Sequence, residues 1–346
     1  SEHFEDKESF IQSMGNYADF YKYWLQYNSS SNKIFEGLDG VPGADLASML
    51  LLFLKSSNHK MAITILGTMY SNVIEGKENA REDFVEAIRL VGAYYFLWRS
   101  AFSNSGLDTT YREFFKKLKE NDEECTVELI RNHMKEVLER REIATFAQWK
   151  EKAQNYLKYD VTGIDVVRMA LLLTAHDTMP DEAHIGLMKT ARAGSSTYLT
   201  LEKWCSSDLK TIEHVAPQNN RSGMWDTELY NQQTSPYNLL GNLTLLPQEL
   251  NSSAGNKGWK EKLLYYQCVA EQDADKLSNI KTIAENNGIE LNDGTQNLLK
   301  ECSYNAHLQS ISQMTTEDAW NLDLVQKRTD RMLEIIWNKV SHEILQ

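Results

Sequence analysis

The sequence has few cysteines and no long apolar run. Its four cysteines, at positions 125, 205, 268 and 302, form no C-x-x-C pair, so neither a zinc ribbon nor a disulfide framework is indicated. The longest apolar runs, Met49–Leu54 and Met169–Ala175, are far shorter than the roughly 20 residues of a membrane helix, and no signal peptide is recognisable. We therefore expect a protein of the reduced cytoplasm without a membrane partner. The chain begins with Ser1 and not with methionine, so we treat it as a possible fragment.

Positive charge is also scarce. The 346 residues carry 36 Lys and Arg against 49 Asp and Glu, a formal charge of −13. Because phosphate contacts depend on basic side chains, this balance excludes a surface that wraps nucleic acid throughout. The segment 210–262 is different, with five basic and five acidic residues. Any site for a polyanion is therefore expected to be local, and its binding to be weak and salt-sensitive.

Helical periodicity dominates the first 200 residues. In the segment Asn79–Ser103, large apolar residues recur at steps of three and four, which places them on one face of a helix that we interpret as core. Similar spacing predicts seven more helices, in Phe10–Tyr27, Ala44–Lys55, Met61–Ile74, Thr109–Leu118, Thr126–Leu138, Phe146–Tyr159 and Gly163–Ala175. The fold class is predicted to be mainly α, a multi-helix array.

Loop-forming residues concentrate between about 201 and 258. Three of the five prolines and seven asparagines fall here. Two apolar pieces, Leu209–Ala216 and Leu239–Leu246, fit the strands of a small hairpin. Helical spacing returns in Trp259–Cys268, Lys276–Glu285 and Asp318–Val340. We predict three parts: a helical domain at 1–200, a small core at 201–270, and C-terminal helices at 271–346 that pack on it.

A four-part motif lies in this loop-rich region. It reads I-E-H-V-A-P-Q at 212–218, then G-N-L-T-L-L at 241–246, an L-N pair at 250–251 and an N-K pair at 256–257. In order and spacing it resembles the ββα-metal, or HNH, nuclease fold, and most closely the C-terminal nuclease region of GmrSD-type restriction endonucleases. The resemblance covers about residues 209–262. It implies a ββα-metal core within 201–270.

The motif places a histidine beside oxygen-bearing side chains. Imidazole is available as a general base at neutral pH, so His214 is the predicted catalytic base that activates water. A hard cation such as Mg²⁺, or Mn²⁺, takes oxygen ligands from one or two protein groups plus substrate phosphate. Glu213 and Asn251 occupy the corresponding motif positions and are the predicted metal ligands. The competing interpretations are a structural histidine and a surface acid.

The remaining motif residues have supporting predicted roles. By resemblance, Asn242 is the catalytic-site asparagine that fixes the loop holding His214, or that orients the imidazole. Asn256 and Lys257 lie near a predicted helix N-terminus, where a phosphate of DNA is favoured. Ordinary turn roles compete with these. On the last helix, Arg328 and Arg331 would add grip on DNA if they faced the site.

The sequence also bears on regulation and substrate. Full-length relatives of this type carry an N-terminal nucleotide-binding domain with a D-G-Q-Q-R type motif, and neither that motif nor a G-x-x-x-x-G-K-[ST] loop occurs here, so that domain is predicted to be missing from this chain. The aromatic group Trp225, Tyr230 and Tyr237 either stacks on bases or, as we favour, packs within its loop.

The resemblance implies a metal-dependent DNA endonuclease, the effector part of a larger GmrSD-like protein in the bacterial cytoplasm. Its substrate would be DNA, such as phage or modified DNA, in anti-phage restriction. It would nick or cut both strands and leave a 5′-phosphate and a 3′-hydroxyl. The alternative from another class is a catalytically silent module for nucleic-acid binding or assembly, which the acidic surface favours. A weaker third interpretation makes RNA the substrate.

Overall fold

The computed structural model describes residues 7–30, 33–221, 223–231, 233–273, 275, 277, 279–301 and 304–345. Over this part of the chain the protein is mainly helical, with 15 α-helices and two small antiparallel sheets, which confirms the mainly α part of the predicted fold class. The chain divides into two compact units. The first comprises the described residues up to Tyr156, Thr200–Cys205 and the described residues from Lys339; the second comprises Leu157–Leu199 and the described residues of 206–338.

The first unit is built of helices alone, within the described residues. Its centre is a 22-residue helix that is buried on more than one face: besides the predicted stripe, Val85, Leu90 and Phe96 are also buried. The predicted one-sided stripe therefore lies on a helix that is packed around most of its circumference. The helices of this unit are α1 Lys7–Gln26, α2 Ala44–Ser56, α3 Ala62–Ile74, α4 Ala80–Ala101, α5 Leu107–Asn121, α6 Val127–Arg140, α7 Phe146–Tyr156 and α9 Leu201–Cys205.

The second unit combines four short strands with helices. In chain order these elements are α8 Ile164–Ala175, β1 Thr178–Pro180, β2 Met188–Thr190, β3 Thr211–His214, β4 Leu243–Leu246, α10 Gln248–Ala254, α11 Trp259–Val269, α12 Ile280–Asn286, α13 Asp293–Glu301, α14 Gln309–Ser312 and α15 Leu322–Leu345. The last residues of α15, from Lys339, are assigned to the first unit. Strand β1 pairs with β2, and β3 pairs with β4. Both pairs are antiparallel.

Local periodicity located most of these elements. Each helix predicted before residue 176 has an observed counterpart, and the two apolar pieces of the loop-rich region contain β3 and β4. The prediction of helix throughout the first 200 residues is wrong at β1 and β2, because strands of three residues are too short to show a period of two. Helices α9, α10, α13 and α14 were also not predicted. Lys276 and Cys302 lie outside the described residues.

Apolar side chains hold the β3–β4 sheet against the helices that follow it. Val215 and Leu246 join one buried cluster with Leu250 of α10 and Leu263 of α11. At about 25 cal/mol for each Å² of apolar surface buried, such contacts are the main force that orders two four-residue strands joined by a long loop. Among the described residues, no helix has the length and apolar character that crossing a bilayer requires.

Candidate active site

The site is organised by the antiparallel pairing of β3 with β4. Glu213 lies opposite Thr244, and His214, the last residue of β3, lies opposite Leu243. Successive side chains of a strand point to opposite faces, so Glu213 and His214 project to different sides of the sheet. Their surroundings agree with this: the Glu213 carboxylate contacts side chains of α11, whereas the His214 imidazole contacts Asn238, outside that helix. The two neighbouring motif residues are thus placed in different environments.

His214 is held by one polar and one aromatic neighbour. Its Nε2 lies 3.1 Å from Oδ1 of Asn238, and the Tyr159 ring meets the imidazole edge-on with 4.5 Å between centroids. Burial lowers the pKa of His214 to about 4. The hydrogen bond with Asn238 opposes this shift, because it raises the pKa. The ring is therefore neutral at pH 7. In the tautomer that donates Nε2–H to Asn238, Nδ1 keeps its lone pair and is the atom able to accept a proton.

Asn242 fastens the loop that follows His214. It is fully buried, and its Oδ1 accepts from the backbone N–H of Ala216 at 2.9 Å and from Nε1 of Trp320 at 2.8 Å. Its Nδ2 donates to the carbonyl oxygens of Ala216 and Tyr237, both at 2.8 Å. The Asn242 carbonyl also accepts from Val215 N–H. The bonds to Val215, Ala216 and Tyr237 join the end of β3 to the long loop, so Asn242 sets where both of these segments run.

Glu213 lies in a buried ion pair that the sequence did not predict. Its Oε1 is 2.6 Å from Nζ of Lys262 and accepts from the Tyr266 hydroxyl at 3.2 Å. Lys262 also donates to the His214 carbonyl oxygen at 2.7 Å. Burial raises the pKa of Glu213 and lowers that of Lys262, since each charge loses its water. The Glu213 carboxylate and the Lys262 ammonium therefore each depend on the other group to remain charged.

Asn251 is the other predicted ligand. It lies within α10, half-buried, and its Nδ2 donates to Thr211 Oγ1 at 3.0 Å and to the Ile212 carbonyl oxygen at 3.1 Å. The side chain thereby ties α10 to β3. Because the amide donates through its nitrogen, the carbonyl oxygen is the atom with which it would bind a cation.

The two predicted phosphate-binding residues follow α10. Asn256 is exposed, and Lys257 is half-buried, between α10 and α11. Lys257 pairs with Glu261 one turn along. Burial lowers the lysine pKa, but the hydrogen bond that Lys257 donates to the carboxylate raises it, and the net shift of the pKa is upward. A phosphate at Lys257 would therefore compete with Glu261 for the ammonium.

A divalent cation does not fit Glu213 in this arrangement. The carboxylate is 4% exposed, its charge is balanced by the Lys262 ammonium, and a cation would lie beside that ammonium. Within the described residues, no group of three or more His, Cys, Asp or Glu side chains is placed to hold a metal ion. Asn251 with substrate phosphate and water is the donor set that remains, one that Mg²⁺ accepts.

Several residues of the site were not predicted. Asn238 and Tyr159 flank the imidazole, Trp320 bonds to Asn242, and Lys262 is paired with Glu213. One signal was present in the sequence: in the predicted helix that begins at Trp259, Lys262 falls on the face shared by Trp259 and Tyr266. A lysine on an aromatic face indicates a buried, paired ammonium. No comparable local signal marks Tyr159 or Trp320.

The last helix does not present Arg328 to DNA. This guanidinium is buried, lies 5.1 Å from the Trp320 ring, and donates to the Gly241 carbonyl oxygen at 2.9 Å. Arg331 pairs with Asp181. The expectation of extra grip from Arg328 is therefore wrong, because its donors are used within the fold.

The aromatic residues of the long loop pack on the protein. Trp225 is buried and donates from Nε1 to the Lys257 carbonyl oxygen at 3.2 Å. Tyr230 and Tyr237 stack with 5.7 Å between centroids, and the Tyr230 hydroxyl donates to the Pro217 carbonyl oxygen. These contacts agree with the favoured interpretation, in which the aromatic residues pack within the loop.

Comparison with known proteins identifies one region of the chain. Residues 187–335 match the family described as GmrSD restriction endonucleases, C-terminal domain. This segment contains both strands of the site, α10 and α11, and the whole four-part motif. No curated protein matches the chain.

Proposed function

We propose, from the match of residues 187–335 to the C-terminal domain family of the GmrSD restriction endonucleases, that the chain hydrolyses phosphodiester bonds of DNA. The observation that carries the proposal is the His214 imidazole, neutral and bonded through one ring nitrogen to Asn238 at the end of β3. A neutral imidazole with a lone pair available is what a general base requires.

In this proposal His214 takes the proton of the attacking water, and Asn242 positions the main chain that carries the base. The bonds from Asn242 to Ala216 support that role. Asn256 and Lys257 bind a neighbouring phosphate, with Lys257 exchanging Glu261 for the DNA backbone. Hydrolysis leaves a 5′-phosphate and a 3′-hydroxyl.

The proposal includes a ββα-metal core formed by β3, β4 and α10 within 201–270, between a helical domain at 1–200 and C-terminal helices at 271–346. It also includes a divalent cation, Mg²⁺ or Mn²⁺, which would stabilise charge on the phosphate. Of the two ligands predicted from the sequence, Asn251 is the one that would hold this cation, because the Glu213 carboxylate is paired with the Lys262 ammonium.

We place this activity in bacterial anti-phage restriction, as the DNA-cutting part of a larger protein, acting on phage or modified DNA in the cytoplasm. The acidic balance of the whole chain supports the view that another part contributes to DNA affinity.

Plasmid cleavage tests the assignment of the base. Supercoiled plasmid is incubated with the parent chain and with His214→Ala, in Mg²⁺, Mn²⁺ or EDTA, and nicked and linear products are counted. We expect the variant to be about 10²–10⁴-fold slower. His184→Ala is the matched control, since His184 is exposed and its ring contacts Asp181. Equal cutting by the parent and His214→Ala would refute the assignment, and faster digestion of tRNA than of plasmid would make RNA the substrate.

A second candidate is a binding or assembly module without catalysis. It is favoured by two observations: Glu213 is neutralised by Lys262, and Lys257 is neutralised by Glu261. This candidate predicts a gel shift of plasmid fragments by the parent chain without cleavage in any metal, even at high protein concentration.

A further inference from the structure

The ammonium of Lys262 lies at the junction of β3 and α11. The side chain is fully buried, and its Nζ donates to Glu213 Oε1 at 2.6 Å and to the His214 carbonyl oxygen at 2.7 Å. It also lies 5.9 Å from the centroid of the Trp225 ring. One side chain thus contacts the residue before the base and the main chain of the base itself.

The two hydrogen bonds of the Lys262 ammonium have different roles. A buried ammonium is tolerated only when it is paired and hydrogen-bonded, and Glu213 supplies the charge. The second bond is directional, because a carbonyl oxygen accepts along its lone pairs. The position of the His214 carbonyl is therefore tied to α11, and with it the peptide plane from which the imidazole projects.

The same ammonium weighs against a cation at Glu213. Two positive groups that share one carboxylate in a buried place repel each other strongly, since water no longer screens them. The Tyr266 hydroxyl fills a further part of the coordination space around Oε1. A divalent ion could replace Lys262 only by breaking the bond to the His214 carbonyl as well.

We propose that Lys262 is a positioning residue of the hydrolysis: its ammonium takes the place beside Glu213 that the sequence predicted for a metal ion, and it fixes the main chain that carries His214. This inference rests on the proposed nuclease function and refines the role of Glu213 within it. Asn251, together with the DNA phosphate, would then be the group that holds a cation.

Three variants test this role in the plasmid assay. Lys262→Met keeps the length of the side chain without its charge and donors, and we expect kcat to fall about 10²-fold, the effect of a misplaced reacting group, with KM for plasmid unchanged. Lys262→Arg should restore part of kcat, because it again donates to Glu213 and the His214 carbonyl. Lys260→Met, an exposed lysine of the same helix, is the control and should keep the parent rate.

Metal affinity separates this inference from the alternative in which Lys262 merely covers a metal ligand. Calorimetric titration with Mn²⁺ is carried out on the parent, Lys262→Met and Glu213→Gln. We expect the same Kd for all three. Tighter Mn²⁺ binding by Lys262→Met together with weaker binding by Glu213→Gln would overturn the proposal, as would an unchanged kcat in Lys262→Met.

A third measurement does not depend on activity. It separates the role of Lys262 from a loss of folding and from a failure of the proposed nuclease function. With ¹³C-labelled histidine, the His214 ring signal is assigned by its loss in His214→Gln, among the eight histidines of the chain. We expect Glu213→Gln with Lys262→Met, which removes both charges together, to fold and to shift this signal, while Lys260→Met leaves it in place. An unshifted signal would contradict the proposal even if the parent did not cut DNA. A parent that cuts nothing, with the signal shifted, would reject the function alone.

Discussion

The two units bury different kinds of polar side chain. Among the described buried residues of the first unit the polar ones are asparagine, serine, threonine and histidine, whereas the second unit also buries Arg168, Glu213, Lys262 and Arg328. The three cations donate to main-chain carbonyls beside the hairpin strands, at Leu209, His214 and Gly241. A buried charge is costly unless its partners are well placed. We infer that hydrogen bonds from buried cations hold the backbone of the site in place, whereas aromatic and aliphatic packing holds the first unit together.

The largest test of this comparison removes one buried charge. Lys262→Met leaves Glu213 buried without its counter-ion, so the free energy of unfolding of the second unit should fall by about 3–5 kcal/mol. Lys260→Met should change it by less than about 0.5 kcal/mol. Hydrogen exchange in urea, read in peptides from 206–216, measures both. Equal values for the two variants would show that the ammonium is not needed for the fold.

A second test concerns how closely α15 approaches the residue before Asn242. A Cβ added at Gly241 would lie 2.1 Å from the Val325 carbonyl oxygen. Neither atom can move unless the backbone moves, so Gly241→Ala should lower the free energy of unfolding by about 3 kcal/mol. Gly15→Ala, in α1 of the first unit, meets no atom within 4 Å and should instead stabilise its helix by about 0.5–1 kcal/mol. Thermal unfolding of both variants measures the contrast. A neutral Gly241→Ala would contradict this packing.

A smaller effect is expected from one hydroxyl. Thr329 Oγ1 accepts from the Gly241 N–H at 3.0 Å, so the near-isosteric change Thr329→Val leaves a buried N–H unpaired and should cost about 2 kcal/mol. In the first unit, Thr68 only donates to the Thr64 carbonyl within its own helix, and Thr68→Val should cost less than about 0.5 kcal/mol. Urea denaturation of both variants measures whether the free energy of unfolding falls more when a buried backbone N–H of the second unit loses its acceptor than when Thr68 loses its hydroxyl in the first unit.

Over the measured range from pH 7 to pH 5, the smallest effect is a pH dependence of the free energy of unfolding in the first unit. His59 lies 2.7 Å from the Tyr111 hydroxyl and stacks on Tyr95, and burial lowers its pKa to about 3. Below pH 6.5 the unfolded chain binds a proton that folded His59 does not, so its contribution to stability falls by up to about 1.4 kcal/mol per pH unit until about pH 3. His59→Gln should flatten that slope, as measured by the urea midpoint at pH 7, 6 and 5. An unchanged slope would show that His59 is not buried as a neutral ring.

Part of the site was open to prediction because it depends on local order. Alternation and loop chemistry located the strands around His214 and Asn242, and the motif selected those residues among many asparagines and histidines. Asn242 was predicted either to fix the loop or to orient the imidazole. In the structure its amide bonds to the loop, and the residue next to the imidazole is Asn238. The choice between two nearby asparagines depends on how the 3₁₀ turn at 236–238 folds back, which no period of two or 3.6 describes.

The amino-acid sequence alone was enough to predict the helical class, the positions of most helices, the two strands of the hairpin and the histidine at its end. Each of these follows from residues close together in the chain, whose side chains repeat with the period of a helix or strand. The partners of the buried polar groups, in contrast, depend on how distant segments pack. Lys262 meets Glu213 across 49 residues, and Trp320 meets Asn242 across 78. Such pairs form because apolar packing brings distant segments together, and once buried, each charge or donor must find a partner among the groups that packing has placed nearby.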